Sequence, residues 1–109
     1  MHELSITRSV VAICAEQSRG AKVQRVTLVI GQLSGVMADA VRFCFDICAQ
    51  GTPVEGARLE IIETPGRARC RSCGGDVELQ MPAGRCSCGS ADLQMLSGDE
   101  LTVREMEVV

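Results

Sequence analysis

The sequence predicts a mixed α+β fold, with two helices packed on a three-stranded mixed sheet and a small zinc-ribbon-like lobe. Three observations carry this expectation. Apolar residues recur at helical spacing over about residues 4–18 and 37–50. Runs rich in β-branched residues lie at 23–30, 57–64 and 101–109. Between residues 65 and 98 the composition turns to Gly, Arg, Ser and Cys. The division that follows is an α/β domain from 1–66 and 99–109, interrupted by a cysteine-rich domain at 67–98.

In the first helix, Leu4 to Ser18, Ile6, Val10 and Ile13 fall on one face with Val11 and Cys14. Glu3 places negative charge at its positive end, and Gly20 supplies the stop. Val26, Leu28 and Ile30 alternate along the first strand, and Gly31, Ser34 and Gly35 then make a loop. The second helix presents Val41, Cys44, Phe45 and Cys48, and ends at Gly51 and Pro53. A strand at Ala57 to Thr64 follows, so strand, helix and strand form a crossover unit with a parallel pair. The last strand, Leu101 to Val109, changes apolar phase between Val103 and Met106, which a bulge near Glu105 would absorb. Within the cysteine-rich stretch, Val77 to Met81 reads as a hairpin-like piece.

Composition narrows the function. Of 109 residues 46% are hydrophobic but only 2% aromatic, so the core is aliphatic and thin, a case in which small domains recruit a metal or disulfides. A net charge of −3 and the lack of Trp and Tyr argue against nucleic-acid binding. No apolar run is long enough for a membrane span, and no signal peptide opens the sequence, so a cytoplasmic location is expected. Seven cysteines, an odd number, favour metal ligation over a disulfide framework in such a compartment.

Cys70-Arg71-Ser72-Cys73 and Cys86-Ser87-Cys88 offer four soft donors on two short turns, the set that tetrahedral zinc prefers. Gly74 and Gly89 let those turns close, and Arg67, Arg69, Arg71 and Arg85 offset the doubly negative centre that four thiolates on Zn²⁺ create. Free thiols, two disulfides or a rubredoxin-like iron site are the alternatives. With four protein ligands no position is left for water, so the zinc is expected to be structural and the protein no enzyme. Cys14, Cys44 and Cys48 read as core packing. A zinc-ribbon interaction module without any role for the amino terminus is the rival functional reading.

Met1-His2-Glu3 contains the single histidine of the chain. Terminal amine, backbone amide and imidazole together suit tetragonal Ni²⁺ or Cu²⁺. This start leads directly into a helix. Further pieces are Val29-Ile30-Gly31, Phe43-Cys44-Phe45, Gly51-Thr52, Glu55-Gly56-Ala57, Cys88-Gly89-Ser90 and Glu105-Met106-Glu107-Val108. With these, essentially the whole chain resembles the HypA/HybF family of nickel metallochaperones for [NiFe]-hydrogenase maturation. The resemblance implies that His2 binds nickel through its ring and backbone amide, with the Met1 amine and the Glu3 amide or carboxylate nearby. It also implies structural zinc on Cys70, Cys73, Cys86 and Cys88, a partner GTPase, and docking on the immature hydrogenase large subunit, with urease served by some members. A monomer or weak dimer is expected. Two departures stand out: the short Cys86-Ser87-Cys88 spacing, and Met37 where many relatives carry an acidic residue, for which Asp39 is the available substitute.

Overall fold

A computed structural model describes residues 2–109. Helix α1, His2–Gln17, begins two residues earlier than the spacing predicts. Its first turn is anchored from within: Thr7 is fully buried and its Oγ1 donates to the Glu3 carbonyl at 2.6 Å. Val10, Val11 and Cys14 face the core. Ile13, which periodicity assigns to the same face, is instead 51% exposed. It lines an open apolar groove of about 250 Å³ between α1 and the sheet, shared with Ile6, Val10, Leu28, Leu101 and Val103.

Strand β1, Val23–Gly31, is the centre of the first sheet. Helix α2, Ala38–Ala49, follows, burying Val41, Phe45 and Ala49. Strand β2, Arg58–Thr64, then pairs parallel to β1, with Val26 opposite Leu59 and Leu28 opposite Ile61. On the other side β1 pairs antiparallel with the strand Leu101–Val108, which is β6 in chain order. Thr27 opposes Glu105 and Leu28 opposes Val103, so Arg104 is the extra residue of a bulge. That bulge returns Met106 to the side of Val26 and accounts for the phase change in the sequence. The resulting core is aliphatic: Val10, Val11, Val23, Val26, Leu28, Ile30, Val41 and Val54, with Phe45 its one aromatic.

A second sheet holds β3, Gly66–Cys70, β4, Asp76–Leu79, and β5, Leu93–Ser97, in the order β4-β3-β5, all antiparallel. The sequence reading anticipates only β4, as the hairpin-like piece at Val77 to Met81. Buried in this lobe are Leu33, Ala68 and Leu79, with Val77 and Leu93 packed against them. Leu33 does not come from the lobe's own stretch of chain. It lies just beyond β1 and reaches across from the first sheet.

Three segments meet where the chain crosses between sheets. The Leu33 N–H donates to the Gly98 carbonyl at 2.6 Å, Gly31 N–H to Glu100 O at 2.7 Å, and Gln32 N–H to Thr64 O at 2.9 Å. The Glu100 carboxylate accepts from Thr64 Oγ1 at 2.8 Å and from Gly98 N–H at 2.7 Å. Backbones approach so closely that a Cβ on Gly98, whose φ is 110°, would lie 2.5 Å from Gly66 Cα. The molecule is elongated, 53 × 25 × 16 Å, with a radius of gyration of 16.9 Å. A compact chain of this length has a radius of ~13 Å, so the lobes lie end to end.

Candidate metal centre

The four lobe cysteines come from two turns. Strand β3 delivers Cys70 at its end, and a tight turn follows in which Gly74 N–H donates to Cys70 O at 2.8 Å. The second turn closes through Gly89 N–H to Cys86 O at 2.8 Å and Cys86 N–H to Ser90 O at 2.9 Å. Arg85 binds Gly89 O at 3.0 Å and so braces this turn from outside. The two turns are held face to face by Ser72 and Ser90, whose hydroxyls lie 2.9 Å apart, and by Arg71, paired with Asp92 at 3.1 Å.

All four sulfurs lie within 4.8 Å of one another. Across the turns, Cys70 and Cys88 are 3.6 Å apart and Cys73 and Cys86 are 3.5 Å apart. A disulfide needs ~2.05 Å, so these are separate thiols. A tetrahedron with Zn–S bonds of ~2.3 Å has edges of ~3.8 Å, close to the two measured spacings. The donor set and its geometry fit a tetrahedral thiophilic ion, and the short Cys86-Ser87-Cys88 turn does not break the cluster. Among the described residues no other His, Cys, Asp or Glu group gathers in this way.

The protonation pattern supports the same conclusion. The Cys73 and Ser72 N–H groups favour the Cys70 thiolate and bring its pKa down to about 6. The Cys88 N–H likewise lowers Cys86. Cys73 receives the Gly75 N–H, but the surrounding sulfurs outweigh it and push its thiol up to about 12. Cys88 receives the Ser90 N–H and is raised in the same way by Cys70 and Cys86. Backbone N–H groups favour the thiolate at Cys70 and Cys86, whereas the crowded sulfurs disfavour it at Cys73 and Cys88, a repulsion that a bound cation would relieve.

At the opposite end of the chain, His2 is the first residue of α1 and its side chain is 59% exposed. Its Nε2 lies 3.4 Å from Glu3 Oε2. That same carboxylate oxygen accepts the Met37 N–H at 3.3 Å, which ties the start of α1 to the start of α2. Glu3 is therefore a buried strut as well as a neighbour of the imidazole, a role its position in the sequence does not announce. Met1 lies outside the described residues. Met37 is 66% exposed and contributes its backbone here, while Asp39 is committed to Arg42 at 2.8 Å on the solvent side of α2. Cys14 is buried, with its thiol pKa raised by that burial, and Cys48 packs against the core margin, as expected of packing residues, whereas Cys44, expected in the same role, is half-buried and not among the residues packed on that core. The bridges made by Ser72, Ser90, Arg71 and Asp92 escaped the sequence reading. A polar residue within or just after each cysteine turn is the signal that could have found them.

Comparison with known proteins follows the same outline. Residues 1–108 match the family described as "Hydrogenase/urease nickel incorporation, metallochaperone, hypA". The hydrogenase maturation factor HypA of Nostoc punctiforme is 57% identical over 108 residues, covering 99% of this chain and 96% of its own. That of Rippkaea orientalis is 58% identical over 109 residues, with the same coverage. In three dimensions the chain resembles the solution structure of the Ni metallochaperone HypA from Helicobacter pylori. The TM-score is 0.71 at 25% identity, over 100% of this chain and 98% of the other. With a Cys₄ lobe, a helix start fastened by Glu3 to the Met37 amide and a family match over residues 1–108, this chain belongs to the HypA family of nickel-incorporation metallochaperones.

Proposed function

We propose that this chain binds Ni²⁺ at its amino terminus and passes it to the large subunit of a [NiFe]-hydrogenase, alongside a maturation GTPase. In this reading Cys70, Cys73, Cys86 and Cys88 hold a structural zinc ion. The His2 imidazole and backbone amide, the Met1 amine and Glu3 form the nickel site. The chain acts in the cytoplasm as a monomer or weak dimer, and urease is a second possible acceptor.

One observation carries the nickel assignment: His2 opens a helix whose start is clamped by Glu3 to Met37, in a chain that matches a nickel-incorporation family throughout. The first N–H groups of a helix have no partner in its own ladder, so the His2 amide is not consumed by helix formation. The imidazole stands in solvent, where an acceptor's ligands can replace it one at a time. The nearby Glu3 carboxylate lowers the cost of placing a dication at the positive end of α1. Zinc in the lobe supplies charge neutralisation and a cross-link between the two turns. Four protein donors leave no place there for a reactive water, in keeping with a delivery protein rather than an enzyme.

The test is metal content and nickel titration of untagged protein. His2→Ala, or an extension blocking the Met1 amine, is expected to abolish or strongly weaken nickel binding at neutral pH while zinc stays in place. Because amine and imidazole nitrogens must shed protons to ligate, nickel affinity falls on acidification. A His2→Ala chain that binds nickel as tightly as the parent at neutral pH refutes the assignment.

A further inference from the structure

We infer that the cysteine centre is an oxidant-operated release device, in which loss of its metal is driven by two disulfides formed across the turns, Cys70–Cys88 and Cys73–Cys86. The inference rests on the metal reading given above and adds a regulation of that site. It starts from how the four sulfurs are distributed. Each cross-turn pair joins one exposed sulfur to one buried sulfur: Cys88 and Cys73 are exposed, Cys70 and Cys86 are buried. The pairs stand 3.6 and 3.5 Å apart, so closing to a bond of ~2.05 Å asks each sulfur to move by roughly 0.7–0.8 Å. The alternative within the second turn, Cys86 to Cys88, would close a ring across a single intervening serine, where the backbone span is poorly matched to disulfide geometry.

What keeps the partners opposed is independent of the metal. Ser72 and Ser90 bridge the turns, Arg71 pairs with Asp92, and Arg71 N–H donates to Asp92 O at 2.9 Å. These contacts hold the two turns face to face when the sulfurs change chemistry. The exposed sulfur of each pair is then the one an oxidant reaches, and the buried one is the resolving thiol beside it.

The oxidant class is a hydroperoxide, with hydrogen peroxide as its simplest member. Cys88, a thiolate when the centre carries its metal, attacks the peroxide oxygen, the O–O bond breaks, and Cys88 becomes a sulfenic acid as hydroxide departs. The Cys70 thiolate then attacks the Cys88 sulfur; the S–S bond forms, the S–O bond breaks and a second hydroxide leaves. The pair of sulfurs has lost two electrons and the peroxide has gained them. A second peroxide does the same at Cys73 and Cys86. Neutral disulfide sulfurs are poor ligands for a dication, so the metal leaves.

The experiment uses the full chain loaded with zinc. Zinc content before treatment tests the metal reading alone: a chain that neither holds nor takes up zinc defeats that reading, while thiol pairing is still decided by mass. Hydrogen peroxide is then added, and zinc release to a chromophoric chelator is followed beside intact mass and non-reducing tryptic maps. Cleavage at Arg69, Arg71, Arg85 and Arg104 puts Cys70, Cys73 and the Cys86/Cys88 pair on three different peptides. The expected product links all three peptides, with fragmentation at Ser87 assigning Cys88 to Cys70 and Cys86 to Cys73. Zinc is lost completely and in step with disulfide formation, and a thiol reductant plus zinc restores the starting mass and metal content. The proposal is overturned by a Cys70–Cys73 link with Cys86 and Cys88 on a separate peptide. It is equally overturned by sulfinic acids at Cys73 and Cys88 without disulfides, or by zinc retained after the four thiols are consumed.

Discussion

Replacing Leu33 by alanine separates what belongs to each lobe. By position Leu33 follows β1 of the first sheet, but its side chain is 8% exposed and packed with Ala68 and Leu79 in the cysteine lobe. Leucine-to-alanine changes in cores cost ~2–5 kcal/mol, and this small cluster can partly collapse, which favours the lower end, ~2–3 kcal/mol. Where metal binding and lobe folding are linked, that loss appears as a roughly 30- to 150-fold weaker apparent zinc affinity. The assay is competition against a chelator of known affinity at fixed pH. Val54→Ala is the control: Val54 is fully buried in the first core, so it should lower global stability and leave the zinc competition unchanged. A Leu33→Ala chain with parental zinc affinity, or a Val54→Ala chain with the larger zinc defect, would show the lobe core to be independent of Leu33.

Four further outcomes follow from the same geometry. Near pH 7.5 Cys73 and Cys88 hold their protons, so zinc binding should release at least about two protons per chain, measurable as a dependence of the binding heat on buffer ionisation enthalpy. Release of none would mean the sulfurs do not repel as described. In the metal-free lobe, the Cys70 pKa is depressed, so its thiolate contributes stability above the ordinary thiol value that is lost as pH falls through about 6. Gly98→Ala places a side chain against the Gly66 backbone at positive φ and should cost about 2–4 kcal/mol, a melting-temperature drop of roughly 10–20 °C. An unchanged melting temperature would mean the crossing is looser than drawn. Glu100 is held below the usual carboxylate range by its own N–H, the Thr64 hydroxyl and the Gly98 N–H. Its contribution is therefore present above the ordinary carboxyl pKa and disappears as pH drops through the lowered value. Glu100→Gln should melt below the parent at pH 7, with the gap closing as pH falls through that lowered value; a gap that stays constant on acidification would argue against the charge.

The first sheet was legible because its strands alternate and its helices repeat. Val26, Leu28 and Ile30 announced β1, and the slip between Val103 and Met106 announced the bulge now seen at Arg104. The cysteine pairs announced their own cluster. What stayed hidden depends on neighbours far away in sequence. Strand β3 buries Gly66, Ala68 and Cys70 between exposed arginines, an alternation too small in volume to read as hydrophobic. Leu33 looked like a loop residue because its partners lie 35 or more positions away. Ile13 has the right helical phase and the wrong surroundings, since a helix face is buried only where another element arrives to cover it. Glu3 was read for its charge, and its second task of fastening α1 to α2 through the Met37 amide needed coordinates to see.

The placement of β6 has a consequence for how the protein is made. β1 lies in the middle of its sheet, yet one of its two neighbours is separated from it by the entire cysteine lobe. On the ribosome, α1, β1, α2 and β2 emerge first, leaving one hydrogen-bonding edge of the most buried strand without its partner. That edge is satisfied only after residues 101–108 have been synthesised, and β6 must then slot in beside β1 with its bulge in register. Throughout that interval the nascent chain carries an open strand edge beside exposed aliphatic side chains, the combination most prone to mispairing between chains. Closure of the sheet thus waits for residues 101–108, and Glu100 just before them joins Gly31 and Thr64 of the first sheet to Gly98.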